Sequence, residues 1–272
     1  MWKKLLFITI ALLGTCGGGF FWAKTSETLL FDTALWVIVA AIALGVLLGV
    51  IRAKLKGRER IENGAVVRWG GGAFLEHWAT AIGILALIAT SFFLGILFII
   101  PTQVETTAEA LFPLNLHFIG VVLMLFGGFF FAADFLVSRN YSALIPNPQE
   151  IWGGFFGKYF LRRKWSTEGK YLASQKAAFL AFAILGTVVL TTGAIKVFSH
   201  FTPVQASVIG ITTYIHDLFA LPFILMLIVH ILVVLALKPH WPALKSAFTG
   251  KVREQYVKKE HPIWYEELKK DE

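Results

Sequence analysis

The sequence predicts an all-α integral membrane protein with six membrane-spanning helices, and its composition and apolar runs are the evidence. Of its 272 residues, 57% are hydrophobic and 15% are charged, with a mean hydropathy of +0.69. Soluble domains carry about 25% charged residues, and a helix needs about 20 apolar residues to cross a bilayer. Six runs meet that length, near residues 5–23, 33–51, 78–100, 117–137, 177–195 and 212–237.

The basic residues are sorted to one side of these runs. Before the first run, in segments 52–76 and 138–176, and from Lys238 onward lie 23 of the 25 Lys and Arg residues. The three alternate connections hold only Lys24 and Lys196. Because basic loops stay in the cytoplasm, both termini are expected there. The net charge of +8 is therefore a topology signal and does not indicate nucleic-acid binding.

The first run allows two interpretations. MWKKLLFITIALLGTC has two lysines before an apolar core and small residues after it, which also fits a cleaved signal peptide. Cleavage would leave the direction of the next span unchanged, so the charge asymmetry does not decide between them. We favour a retained helix, which makes residues 1–55 an N-terminal transmembrane hairpin.

The cysteine and histidine content limits the possible cofactors. Cys16 is the one cysteine, which excludes an internal disulfide, a cysteine-based zinc site, an iron–sulfur cluster and c-type haem attachment. Any cofactor must be held by histidines, carboxylates or backbone. Of the seven histidines, three lie in connections or the tail and are expected to be solvated: His200, His240 and His261.

The other four histidines fall into two levels of the membrane. His77 opens the third span near the cytoplasmic face, and His117 opens the fourth near the outer face. In the sixth span, His216 lies near the outer face and His230 in the inner half. Their 14-residue interval is about 21 Å of helix and just under four turns, so both point from nearly one face. The spacing predicts the pairs His77 with His230 and His117 with His216.

Two facing histidine pairs in a helical bundle suit two haems, each iron held between two imidazoles. No carboxylate accompanies the inner pair, which favours haem over zinc. Gly120, Gly186 and Gly193 could let a macrocycle lie against backbone. A metal-ion site and a proton relay stay open as alternatives, because membrane histidines serve those roles too. The sequence indicates no nucleophile or substrate pocket.

Two aspartates at span ends also allow two interpretations. Asp217, beside His216, could orient that ligand or simply lie exposed at the helix end. Asp134, near the inner end of the fourth span, could serve a proton path; a solvated helix end is the interpretation that we favour.

Two further stretches carry a family resemblance. Residues 169–176 read GKYLASQK, and residues 250–270 read GKVREQYVKKEHPIWYEELKK. Together with the four histidines, they resemble the di-haem cytochrome b (gamma) subunit of membrane-bound respiratory formate dehydrogenases, over about residues 66–270. In that family, G-K-Y-N-x-x-Q-K precedes the third of four core helices, and G-K-V…H-P-x-W-Y follows the last.

The resemblance implies a four-helix di-haem core at 66–238, with a cytoplasmic tail at 239–272 and the hairpin at 1–55 outside the core. It implies two haems b, the inner one on His77 and His230 and the outer one on His117 and His216. The quinone region it implies comprises Lys170, Tyr171, Ser174 and Gln175.

The resemblance also implies partners and a location. An iron–sulfur (beta) subunit outside the membrane would deliver electrons from a molybdenum or tungsten catalytic (alpha) subunit, where the substrate is oxidised. The electrons would pass through the haems to menaquinone or ubiquinone near the cytoplasmic face. The chain would lie, among lipids, in the cytoplasmic (inner) membrane of a bacterium or archaeon.

Two departures from the family concern the inner end. Leu172 stands where the family has an asparagine that helps bind quinone, and Phe74 stands where it tends to have arginine. A propionate of the inner haem would then need Arg68, Lys170 or Lys176. Other donors therefore stay open: a hydrogenase, a thiosulfate reductase or another molybdopterin oxidoreductase. From a different class, a haem-free anchor or a histidine-based proton or metal transporter is the alternative.

Overall fold

The computed structural model describes residues 2–56, 59, 61–97, 99–139, 141–158, 160–162 and 168–270. Within these residues, six helices are long and apolar enough to cross a membrane, which confirms the all-α membrane class. These are α1 (Trp2–Thr25), α3 (Leu35–Leu55), α4 (Gly71–Leu94), α5 (Thr107–Ser138), α7 (Ala173–Phe198) and α8 (Ala206–Ala236). The shorter elements are α2 (Leu30–Thr33), α6 (Tyr141–Leu144), a π-helix (Glu150–Gly157), a 3-10 turn (Lys238–His240), α9 (Trp241–Thr249), α10 (Glu254–Glu260), α11 (Pro262–Lys270), β1 (Ile61–Glu62), β2 (Ala65–Val67) and β3 (Lys251–Arg253).

Several helices begin before the predicted spans, and the two largest differences concern helices that carry a predicted histidine ligand. α4 begins at Gly71 and α5 at Thr107, well before the predicted starts at 78 and 117. The Thr106 hydroxyl accepts a hydrogen bond from the Glu109 amide at 3.2 Å, which caps α5 in polar sequence that the apolar run excluded. His77 and His117 therefore lie inside their helices, whereas the prediction had them opening the spans.

Close backbone contacts join α3 and α4 to α5. At Gly49 of α3, an added Cβ would lie 2.7 Å from the Cβ of Ala133 on α5. At Gly83 of α4, an added Cβ would lie 2.7 Å from the carbonyl oxygen of Gly120 on α5. Lipid tails are as apolar as leucine, so helix association in a membrane depends on such small residues for close packing.

α7 and α8 form a second helix pair. They pack on each other, but in the described part of the chain almost no Cα atom of either lies within 8 Å of α4 or α5. Contact between the two pairs includes aromatic rings, with the Phe179 ring centroid 5.5 Å from that of Phe131 and 6.3 Å from that of Phe135. The pairs α4/α5 and α7/α8 thus face each other across a gap, because their backbones do not pack closely. We call this gap the interval between the helix pairs.

A small antiparallel sheet closes one end of the bundle. β2 pairs with both β1 and β3, with Val66 opposite Val252, so the α3–α4 connection is joined to the C-terminal segment. Val66, Val252, Val257, Trp264, Tyr265 and Leu268 form its buried cluster. We call this end of the bundle the sheet end and the opposite end the far end.

His261 fastens the C-terminal segment to the sheet end. It is fully buried, so the expectation of a solvated side chain is wrong. Its Nδ1 lies 2.8 Å from the carbonyl oxygen of Gly169, to which it donates, and its Nε2 lies 3.4 Å from Nη1 of Arg68. Burial, and then the Arg68 charge, lower the pKa of His261 from 6.5 to about 4. The imidazole is therefore neutral in the folded protein at neutral pH.

The Gly49 contact predicts different effects on stability for two matched substitutions. Gly49→Ala should destabilise the protein by about 1–3 kcal/mol, because the new methyl overpacks the α3–α5 contact. Gly18→Ala, in open space on α1, should be neutral or stabilising, since alanine is the better helix former. Thermal unfolding in detergent compares them, and equal shifts would contradict the packing argument.

His261 predicts that the docked C-terminal segment loosens in acid. The unfolded segment binds a proton below about pH 6.5 whereas the folded one does not, so stability is full above that pH. It falls by up to about 3 kcal/mol as the pH drops towards 4. Hydrogen exchange of the α11 amides should report this loss. His261→Asn should remove this pH dependence and His200→Asn, at the far end, should keep it; identical profiles in wild type and His261→Asn would refute the assignment.

Candidate functional site

At the far-end level, His117 on α5 and His216 on α8 each have a threonine partner on the neighbouring helix. The Thr90 hydroxyl lies 2.8 Å from Nδ1 of His117, and the Thr192 hydroxyl lies 3.0 Å from Nδ1 of His216. Each hydroxyl also donates to a carbonyl oxygen four residues earlier in its own helix, at 2.9 and 2.8 Å. Each Oγ1 therefore accepts from the Nδ1–H group, which leaves the lone pair on Nε2.

The same arrangement recurs on both sides of the interval between the helix pairs. α4 and α5 supply Thr90 and His117, while α7 and α8 supply Thr192 and His216. His117 and His216 are close enough for a charge on one imidazole to affect the other. A hydrogen bond on Nδ1 that orients the ring and keeps Nε2 basic is what metal-bound histidines have.

At the level nearer the sheet end, His77 on α4 and His230 on α8 are also close enough to interact electrostatically. The ring of His77 lies edge-on to Trp69, with centroids 5.1 Å apart, and that of His230 lies 6.2 Å from Phe182. Among the residues with described positions, no hydrogen bond reaches a ring nitrogen of either histidine. This pair thus has aromatic neighbours and uncommitted nitrogens.

The glycines predicted to make room for a macrocycle have different surroundings. At Gly193, an added Cβ would lie 3.3 Å from Cε1 of His216, so its absence makes space for that imidazole. Gly186 faces Phe223 across the α7–α8 contact. Gly120 instead packs on Gly83 and Leu87 of α4, so it does not face the interval as predicted. Its position three residues after His117 puts it on the helix–helix contact face.

The donor set suits a haem better than a bare metal ion. In the described ranges, no group of three or more His, Cys, Asp or Glu side chains could hold an ion. Each level offers two imidazoles, the number that a haem iron takes when the porphyrin supplies its other four ligands. At each level, one imidazole comes from α4 or α5 and the other from α8, on opposite sides of the interval between the helix pairs.

The four residues of the expected quinone region lie together at the start of α7. Lys170 and Tyr171 precede the helix, and Ser174 and Gln175 are in its first turn. The Gln175 side chain accepts from the Leu172 amide at 3.1 Å and so caps α7. Lys170 forms an ion pair with Glu59. The four therefore lie in one segment at the start of α7, whose Lys170 carbonyl oxygen accepts from Arg68 at 3.4 Å.

The cations considered for a haem propionate already have protein partners. Arg68 is buried and lies over the rings of Tyr171 and Trp264. The Nζ of Lys176 lies 2.6 Å from Oε1 of Glu150 at the start of the π-helix. Together with Lys170, these side chains hold the 168–176 segment in place. A propionate that bound one of these cations would have to share it with its present protein partner.

Both aspartates differ from the interpretations that the sequence allowed or favoured. Asp217 accepts from the Leu97 amide at 3.1 Å, so it fastens the α4–α5 connection and does not orient His216. Asp134 is buried and paired with Arg52, with Nη1 and Oδ2 3.0 Å apart, so it is not a solvated helix end. Sequence reasoning missed Arg52 because it treated basic residues at span ends only as topology signals.

Comparisons with known proteins agree with the resemblance. The family model for prokaryotic cytochrome b561 matches residues 68–250, which include all four paired histidines. The chain is 28% identical over 213 residues to the formate dehydrogenase, cytochrome b556(fdo) subunit of Escherichia coli (strain K12), covering 75% of this chain and 94% of that protein. It is 32% identical over 107 residues to the nitrate-inducible formate dehydrogenase cytochrome b556(Fdn) subunit of the same strain, covering 38% and 47%. The match to well over half of its length shows that the chain belongs to the prokaryotic cytochrome b561 family.

Proposed function

We propose that the chain is the membrane cytochrome b subunit of a formate dehydrogenase-like complex and conducts electrons between an iron–sulfur partner and a quinone. The observation that carries the proposal is the two histidine pairs at two levels between α4/α5 and α7/α8. The names of the relatives, which are formate dehydrogenase cytochrome b subunits, support the choice of complex. A molybdenum or tungsten subunit would oxidise the substrate.

The four histidines would hold two haems b. Nε2 of His117 and of His216 would bind one iron, while Thr90 and Thr192 keep the imidazoles in the right tautomer. His77 and His230 would bind the other. When bound, each haem supplies an iron that carries one electron at a time. The two levels, about 21 Å apart on α8, would cover most of a hydrocarbon core of about 30 Å.

The distribution of charge supports an orientation. The basic connections belong to the sheet end, so we infer that this end and both termini face the cytoplasm. The far end would then face outward and receive the iron–sulfur subunit. A menaquinone or ubiquinone would bind at the sheet end, near Lys170, Tyr171, Ser174 and Gln175. Leu172 offers no side-chain hydrogen bond there, so the site would depend on its neighbours.

The division of the chain follows from the same proposal. Residues 66–238 would be the electron-carrying core and 239–272 its cytoplasmic cap. Residues 1–55 would be a supporting hairpin, since the family match begins only at residue 68. The contact of α3 with α5 supports a hairpin that is firmly attached to the core.

Haem content tests the proposal directly. We expect a pyridine haemochrome assay on the purified chain to give two haems b. His230→Ala should remove one of them and abolish quinone reduction by the assembled complex. His200→Ala, at the far end and paired with Asp32, should keep both. A wild-type chain without haem would refute the proposal, and retention of both haems in His230→Ala would refute the pairing.

The threonine partners predict a second, more selective effect. Thr90→Val and Thr192→Val preserve shape but remove the acceptor for Nδ1–H, which typically lowers metal affinity about 10–100-fold. Each should weaken or alter one low-spin haem signal in electron paramagnetic resonance and leave the other unchanged. Thr191→Val, beside Thr192 on α7 and bonded only to its own helix, is the matched control. Equal spectra for Thr191→Val and Thr192→Val would show that the hydroxyl does not support the ligand.

A further inference from the structure

A buried cluster of three charged side chains joins the N-terminal hairpin to the core. Nη1 of Arg52, at the end of α3, lies 2.7 Å from Oε2 of Glu76 on α4 and 3.0 Å from Oδ2 of Asp134 on α5. The three side chains are 19%, 11% and 10% exposed, respectively. We call these residues the Arg52 triad. One guanidinium nitrogen thus connects three helices.

The surrounding backbone is shaped to admit the triad. A Cβ at Gly72 of α4 would lie 2.8 Å from Nε of Arg52, so the glycine leaves room for this side chain where it lies. A Cβ at Gly49 of α3 would lie 3.0 Å from the backbone nitrogen of Asp134. The close contacts at Gly72 and Gly49 allow the Arg52 guanidinium to reach the two carboxylates. The triad is therefore a built feature of the α3–α4–α5 packing.

The triad includes the residue that precedes a histidine of the sheet-end pair in the sequence of α4. One guanidinium, which is always protonated, serves two carboxylates. Glu76 directly precedes His77, so the triad and this imidazole are on the same turn of α4. Screening by water is weak at buried sites, and the Coulomb energy between charges there is correspondingly large.

We propose that the Arg52 triad sets the reduction potential of the haem held by His77 and His230. This inference rests on the proposed function. Reduction adds one negative charge at the iron, so a nearby positive charge favours the reduced haem and a nearby negative charge favours the oxidised one. The positive charge comes from residue 52, outside the segment matched by the family model. The hairpin thereby contributes a charge to the electron path.

Redox titration of the purified full chain tests this proposal, with each haem followed by its optical spectrum. Asp134→Asn removes a negative charge and leaves Arg52 paired with Glu76, so the protein should fold. The potential of the sheet-end haem should shift upward. Arg52→Gln should shift it downward, and the far-end haem should stay unchanged in both. The redox transition that is absent from the titration of His230→Ala identifies the sheet-end haem.

Two controls separate the charge from a structural role. Arg52→Lys keeps the positive charge and should restore a potential close to that of the wild type. Lys54→Gln removes the same charge from an exposed position on the same helix, where water screens it, and should change neither haem.

Opposite shifts in Asp134→Asn and Arg52→Gln, confined to one haem, would support the proposal. An unchanged sheet-end haem in Asp134→Asn would overturn it, as would shifts of the same sign or of equal size at both haems. If the Arg52→Gln variant loses haem, the potential of the Asp134→Asn variant alone tests the proposal. A wild-type chain without haem refutes the proposed function as well, whereas two haems with unaltered potentials refute only this inference.

Discussion

The backbone contact of α3 and α4 with α5 is the constraint on which the other features depend. No hydrophobic effect drives helices together within lipid, so their positions must be set by close packing and by polar contacts. Gly45 and Gly49 bring α3 onto α5, and Gly83 brings α4 onto α5. With α4 and α5 fixed in this way, His77 and His117 lie on two closely packed helices, while α7 and α8 can stand apart.

Buried polar side chains in the bundle have hydrogen-bond or ion-pair partners, and each of these contacts also positions a neighbouring segment. Asn115 is fully buried; its Oδ1 accepts from the Leu30 amide at 2.8 Å and its Nδ2 donates to the Thr28 carbonyl at 3.0 Å. It holds the α1–α3 turn on α5 at the far end, as Arg52 holds the end of α3 nearer the sheet. An unsatisfied polar group costs several kcal/mol in lipid, so these contacts specify the hairpin position strongly.

Sequence reasoning was most effective where one periodicity or one hydropathy pattern determines a structural feature. Six spans followed from hydropathy alone. The 14-residue interval between His216 and His230 predicted the pairs, because the helical repeat relates spacing to both depth and direction. It failed where a single cap or a long-range contact determines the structure. A capping threonine moved the start of α5, and pairing with Arg52 buried Asp134.

The case of His261 shows why motifs outside the spans were harder to interpret. Its polarity and its place in the C-terminal segment both indicate exposure. Its burial depends on Gly169, which is 92 residues away in the sequence. The two stretches that carry the family resemblance thus contact each other in the structure, because H-P-x-W-Y docks on the segment that begins with G-K-Y.

The two histidine levels have different physical surroundings, and this difference bears on electron transfer. The far-end pair has neutral hydroxyl partners that orient the rings symmetrically. The sheet-end pair has aromatic neighbours, uncommitted ring nitrogens and the charged Arg52 triad on the same turn as His77. Two otherwise identical haems would therefore differ in the free energy of reduction through electrostatics alone. An electron path would need such a difference to favour one direction, and Arg52 on α3 of the hairpin would contribute to it.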